Sequence, residues 1–339
     1  MGEFVAYAGT TDNLFEIAGD GASCDVRPLD PRVGGSDMEG VRAILVDQHH
    51  PRRLYVGTQT DGVQRSRDGG ASWEPASEGM IHRNVWALAQ HSATGDLFVG
   101  TEPASVFRST DGGDSWEDLP MLRTLPETKE WWFPMPPHVA HVRGITLQAD
   151  DPSDIFCAIE DGWLVRSRDG GESWRQVRAG VHCDAHMVTV VPDDPSIVYV
   201  STGNYGFRST DGGATFVDAR QGLDRGYMAG VVVHPARPNV LLTAASHPPG
   251  AWFRPGNGAE TEVYRSRDAG LSWKRVVEGL EESERWGTWA IAGDPVDPDT
   301  AFVGFFDGRI FVTQDGGDSF REIGTVEGPL LTMAAGQRG

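Results

Sequence analysis

The chain has 339 residues and a formal net charge of −20, with abundant Gly and Trp and very little Lys beside its Arg. Such acidity disfavours nucleic acid and anionic membrane as partners, because both are bound by neutralising phosphates with Lys and Arg. No apolar run approaches the roughly 20 residues of a membrane span, and the N-terminal MGEFVAYAGTTD lacks a basic segment followed by an apolar core. A cytoplasmic protein is therefore expected, and three cysteines, Cys24, Cys157 and Cys183, argue against a disulfide framework.

Read in chain order, FVAYAGTTDNLFEI and DVRPL have the character of second, third and fourth strands of a sheet, without a first. VRAILVD, RLYVGT, GVQRSR and SWEPA then make one complete four-stranded antiparallel unit, and RSRDGGASW (65–73) within it recurs as RSTDGGDSW, RSRDGGESW, RSTDGGATF, RSRDAGLSW and VTQDGGDSF. The aspartates of these six copies are Asp68, Asp111, Asp169, Asp211, Asp268 and Asp315. An Asp side chain accepts hydrogen bonds from N–H groups just ahead of it and Gly permits the turn, so each copy fixes a hairpin. The aromatic residue that follows is expected to be buried, worth about 2 to 3 kcal/mol apiece. These aspartates and aromatics are read as structural.

Six blades are predicted at 41–77, 84–119, 141–178, 186–219, 227–277 and 286–323, with a seventh joined from 4–29 and 328–336. The expected architecture is one all-β domain over 1–339, a seven-bladed β-propeller closed by pairing its two ends, which removes exposed strand edges. A six-bladed ring with stray ends is the alternative.

The repeat S/T-x-D-x-G-x-S/T-W/F is similar to the Asp-box, or BNR-repeat, of a propeller group that includes sialidases, xyloglucanases, sortilin-type receptors and the photosystem II assembly factor. The resemblance covers essentially the whole chain and implies a fold without fixing an activity. A sialidase would need an Arg-containing RIP segment, which is absent, and a third arginine equivalent to Arg42 and Arg143. Xyloglucanases pair two propellers, whereas one is visible in this sequence.

In such a ring the ligand face is formed by the loops that enter each first strand and by the loops between second and third strands. His49, His50, His91 and His234 map to the other face and are expected to be solvated surface. His82, His138, His141, His182, His186 and His247 map to the ligand face. The pairs His141/Arg143 and Asp184/His186 share strand parity, so each pair is expected on one side of its strand.

His141, His182 and His186 are the expected ligands of a divalent transition metal, with Asp184, Glu102 or Glu160 beside them. A metal or a histidine base would serve hydrolysis or β-elimination, with His141, His186, Asp184 and Arg143 as catalytic candidates. Arg42, Arg83, Trp86, Trp132, Tyr227, Trp252 and Trp289 are candidates for holding a small-molecule or glycan ligand. The loops 120–140 and 246–262 are long for a compact fold and read as lids or binding loops. The alternatives stay open: a non-catalytic propeller that binds a glycan, peptide or protein, or histidines that only hold channel waters.

Overall fold

The computed structural model describes residues 3–20, 23–32, 40–252 and 258–336. It is a ring of seven four-stranded antiparallel sheets. Their innermost strands are Val41–Val46, Asn84–Gln90, Val142–Gln148, Ala185–Val191, Tyr227–Val233, Ala290–Gly293 and Leu330–Gly336. The last of these pairs antiparallel with Phe4–Thr10, so one blade takes its inner strand from the C-terminal end and the other three from the N-terminal end. Among the described residues no helix is long and apolar enough to cross a membrane.

Each repeat closes its hairpin the same way. Ser66 Oγ donates to Asp68 Oδ1 at 2.8 Å and accepts the Gly70 N–H, while Ser72 N–H and Oγ donate to the two Asp68 oxygens at 2.9 and 2.6 Å. The aromatic that follows then staples blades together. Trp116 donates its indole N–H to Ala76 O and its backbone N–H to Glu78 O of the preceding blade, and Trp273 does the same with Ala219 and Gln221. Five of the six aromatics are buried; Trp73 is half-buried.

Two histidines depart from expectation. His91 and His234 are not solvated but buried, at 1% and 6% exposure. Their strand-to-strand loops pack against the following blade, where His91 Nε2 meets Gln148 O at 3.0 Å and His234 Nε2 meets Asp299 Oδ1 at 3.2 Å.

Five inner strands slip register where they enter the ring, between Val41 and Ala43, Val85 and Ala87, Val142 and Gly144, Ala185 and Met187, and Met228 and Val231. A bulge of this kind re-aims a side chain out of the ordinary alternation. The extra residues are Arg42, Trp86, Arg143, His186 and the pair Ala229–Gly230, so the bulge sets what the channel displays.

Candidate active site at the channel mouth

Three neighbouring blades bring their polar residues to one point. Glu160 and Asp161 occupy the turn that follows the strand Asp151–Ile159. His141 precedes the inner strand of the same blade, Asp184 and His186 lie at the entry of the following blade, and Tyr227 begins the one after.

His141 and His186 are both fully buried. His141 Nε2 lies 2.8 Å from Glu160 Oε2, and Arg143 donates to the same oxygen. The other ring nitrogen, Nδ1, is 3.6 Å from Glu102 Oε2 and makes no hydrogen bond. Trp86 stacks on the imidazole at 3.7 Å, and Phe133 from the long loop meets it edge-on at 4.9 Å. Burial pushes the His141 pKa down against the pull of Glu160. Burial alone would raise the Glu160 carboxyl, but Arg143 and His141 hold it well below the usual carboxylate range.

His186 is arranged differently. Its Nδ1 lies 2.7 Å from the backbone carbonyl of Met228, which cannot donate, so Nδ1 carries a proton and Nε2 is the nitrogen left to face the carboxylates. Nε2 lies 3.2 Å from Asp184 Oδ1 without forming a hydrogen bond, and both atoms are buried and unpartnered. Glu160 completes a group whose ligand atoms all lie within 4.8 Å of one another.

This is not the expected trio of histidines. His141 spends Nε2 on Glu160, and His182, half-buried, accepts the Asp184 N–H on its Nδ1 at 3.2 Å. Neither belongs to the clustered group. Asp161, which the sequence does not single out, sits beside it, its carboxyl pushed up to about 6 by burial and by the nearby Asp184 and Glu160. An Asp before a Gly in a strand turn recurs at Asp61 and Asp307, so nothing in the pattern marks Asp161 out.

The expected ligand-holding residues divide. Arg42, Trp86, Arg143 and Trp289 line the channel just beneath the cluster. Tyr227 and Trp252 are buried, and Trp252 is a structural plug: it packs on Tyr227, Trp289 and Phe306 and donates its indole N–H to His247 O at 2.6 Å. Arg83 is exposed and does not line the channel. Trp132 is 53% exposed and stacks on His138. Of the long loops, 120–140 forms two short 3-10 turns and 246–262 a single helical turn, Pro249–Trp252; Phe253 lies outside the described residues.

No protein-family description matches the sequence, and no curated protein does. Solved structures do match. The GH74 xyloglucanase from Xanthomonas campestris is 19% identical with a TM-score of 0.68, over 100% of this chain and 55% of that one. The GH74 enzyme of Niastella koreensis is 18% identical with a TM-score of 0.65, over 83% of this chain and 45% of that one. YCF48 bound to D1 peptide is 14% identical with a TM-score of 0.59, over 96% and 90%. The chain thus spans about half the length of the GH74 structures and most of the length of YCF48. By fold, the chain stands among the propellers of the xyloglucanase and YCF48 kind, without a close match to any of these.

Proposed function

We propose that the channel mouth is the active site of a hydrolase or lyase acting on a small molecule or glycan, with a divalent transition metal held by Asp184, His186 and Glu160. The observation that carries this reading is the facing pair of His186 Nε2 and Asp184 Oδ1. A lone pair and a carboxylate oxygen, both buried and 3.2 Å apart, repel unless a proton or cation lies between them. Two ligands at about 2.0 to 2.2 Å from one ion and at right to tetrahedral angles are themselves roughly 2.8 to 3.6 Å apart, so the spacing suits a shared ion. The carbonyl of Met228 orients His186 as an outer partner of a metal ligand should.

A metal in that position supplies Lewis acidity. The protein's own residues supply the rest. Arg143 and His141 fix the Glu160 carboxylate, Tyr227 packs against the His186 ring at 4.5 Å, and Phe133 and Trp86 cover His141 and keep water from it. The GH74 enzymes of like fold favour a glycan among the substrate classes. Residence in the cytoplasm is part of the proposal, supported by three free thiols.

The test is elemental analysis of untagged protein by plasma mass spectrometry, beside an Asp184→Asn, His186→Gln double variant shown by circular dichroism to be folded. Near-stoichiometric metal that is lost in the variant is expected. Protein without metal after purification and after reloading with zinc, manganese or nickel would remove the mechanism. The second reading, a non-catalytic binder, then stands on Ile81, Trp132 and Met135, which are exposed at 61%, 53% and 61% near the same face, and on the likeness to a propeller solved with a peptide.

A further inference from the structure

Beneath the acidic mouth the channel changes character. Its cavity, of about 200 Å³, is walled by the inner edges of all seven blades. Apart from the hydroxyl of Thr332, the polar side chains in that wall are donors only: the guanidinium groups of Arg42 and Arg143 and the indoles of Trp86 and Trp289. Among the described residues no carboxylate and no imidazole lines it; the remainder is apolar, including Ile44, Leu88, Met187 and Leu331.

Several of these donors lack a partner. Arg143 is committed to Glu160. Arg42, however, donates to the neutral Gln59 Oε1 at 2.7 Å and lies flat over Trp86 at 3.9 Å, while its Nε is buried with no acceptor. Among the described residues no carboxylate comes within 4.0 Å of its guanidinium nitrogens. The indole nitrogen of Trp86 is likewise buried without an acceptor, and that of Trp289, buried too, has only the Tyr227 hydroxyl beside it, outside good hydrogen-bond geometry. Buried N–H groups such as the Arg42 Nε–H and the Trp86 indole, with nothing to bond, are costly unless an acceptor arrives. Burial pushes the Arg42 pKa down to about 10, so the group still carries its charge at neutral pH.

We propose that the channel is a binding site for an oxyanion, a carboxylate or a phosphate group on a small molecule, held by Arg42 with the indole N–H groups of Trp86 and Trp289. Guanidinium offers such a group a planar fork of donors, and the apolar wall accommodates the body of the molecule. A cavity of about 200 Å³ admits a small organic acid. The inference gives the substrate of the proposed active site its charge class and rests on that reading for its link to turnover. Binding itself depends on different atoms, and it runs against the overall charge of −20, so it reflects local chemistry and not the protein's long-range field.

The experiment is calorimetric titration of chelator-treated protein with inorganic phosphate, with D-glucuronate and, as the neutral control, with D-glucose. Saturable binding of phosphate or glucuronate, and none of glucose, is expected; which anion binds tells a phosphate site from a carboxylate site. Arg42→Gln should weaken binding roughly tenfold or more, the loss of a charge-assisted hydrogen bond. Arg42→Lys should fall between, and Trp86→Phe, which keeps a ring beneath the guanidinium, should weaken it less. Asp184→Asn should leave it intact, so failure of the metal reading and failure of this one are separable. The inference is overturned if neither anion saturates, if glucose binds equally well, or if Arg42→Gln with a native melting curve binds as wild type. Should Arg42→Gln not fold, Trp289→Phe decides the matter in its place, because full retention of binding there and in Trp86→Phe would leave the donors without a role.

Discussion

Gly279 and Gly170 provide a matched pair that isolates what holds one blade to the next. Both have left-handed backbone, at φ +79° and +72°. A Cβ on Gly170 would meet nothing within 4 Å, whereas one on Gly279 would sit 1.6 Å from the carbonyl oxygen of Phe320 in the next blade. Gly170→Ala should therefore lose only the backbone term, about 1 to 2 kcal/mol for an L-residue held left-handed. Gly279→Ala loses that and must also push the Phe320 backbone away by more than about 1 Å. The displacement breaks the 3.0 Å bond from Phe320 N–H to Glu278 O, about 1 kcal/mol, and unseats a ring that is 4% exposed, where even partial loss of packing costs about 1 kcal/mol or more. The expected total is at least ~3 kcal/mol, about double the Gly170→Ala cost. Thermal and urea unfolding followed by both circular dichroism and Trp fluorescence measure it, the two probes guarding against non-two-state behaviour in a chain this long. Equal losses for the two variants would refute the claim that this contact, repeated at Gly79, Gly180 and Gly222, locks neighbouring blades together.

Acid stability should follow the six hairpin aspartates. Hydrogen bonds from Ser72 and Ser66, and from Ser115 and Ser109, hold the Asp68 and Asp111 carboxyls at about 2, and the other four are lowered by the same means. A carboxyl depressed on folding adds stability that is fully present above its unfolded pKa, about 3.9, and is lost as pH falls through the folded value. The melting temperature should thus drop steeply between about pH 4 and pH 2, and an Asp68→Asn, Asp111→Asn variant should show a shallower drop; an unchanged slope would contradict the assignment. Cysteine labelling offers a further check. Burial pushes the Cys157 thiol far up and leaves it 0% exposed, while Cys24 and Cys183 are half-buried. A thiol reagent should modify Cys24 and Cys183 in native protein and Cys157 only on unfolding, so equal rates for all three would count against the packing of the strand Asp151–Ile159.

How much of this is legible in the sequence depends on whether the signal is local. The hairpin copies are local: serine, aspartate and glycine bond within five residues, so the pattern alone sets six blades, and the shared seventh, which has no copy, is read from strand character at the two ends. The staples of His91 and His234 are not, because each partner lies more than fifty residues away on another blade. Strand parity puts His141 with Arg143, and both do reach Glu160, but parity cannot see the register slips that turn Arg42, Trp86 and Arg143 into the channel and set His186 against Asp184. Aromatic residues in a long loop suggest platforms for a ligand. Trp252 instead fills the fold, since a ring flanked by Tyr227, Trp289 and Phe306 gains more from burial than from waiting at the surface. The cluster itself is largely visible: His186, Asp184 and Glu160 are all candidates by residue type and place, while Asp161 looks like any strand turn. What singles out His186 over His141 is the atom that each nitrogen faces. Met228 O accepts the Nδ1–H of His186 and leaves Nε2 3.2 Å from Asp184 Oδ1, inside the group that Glu160 completes, whereas His141 gives Nε2 to Glu160 and its Nδ1, 3.6 Å from Glu102, lies outside that group. Composition and spacing propose ligands by kind; only the surroundings of the unpartnered nitrogen decide which histidine can join a pair of carboxylates.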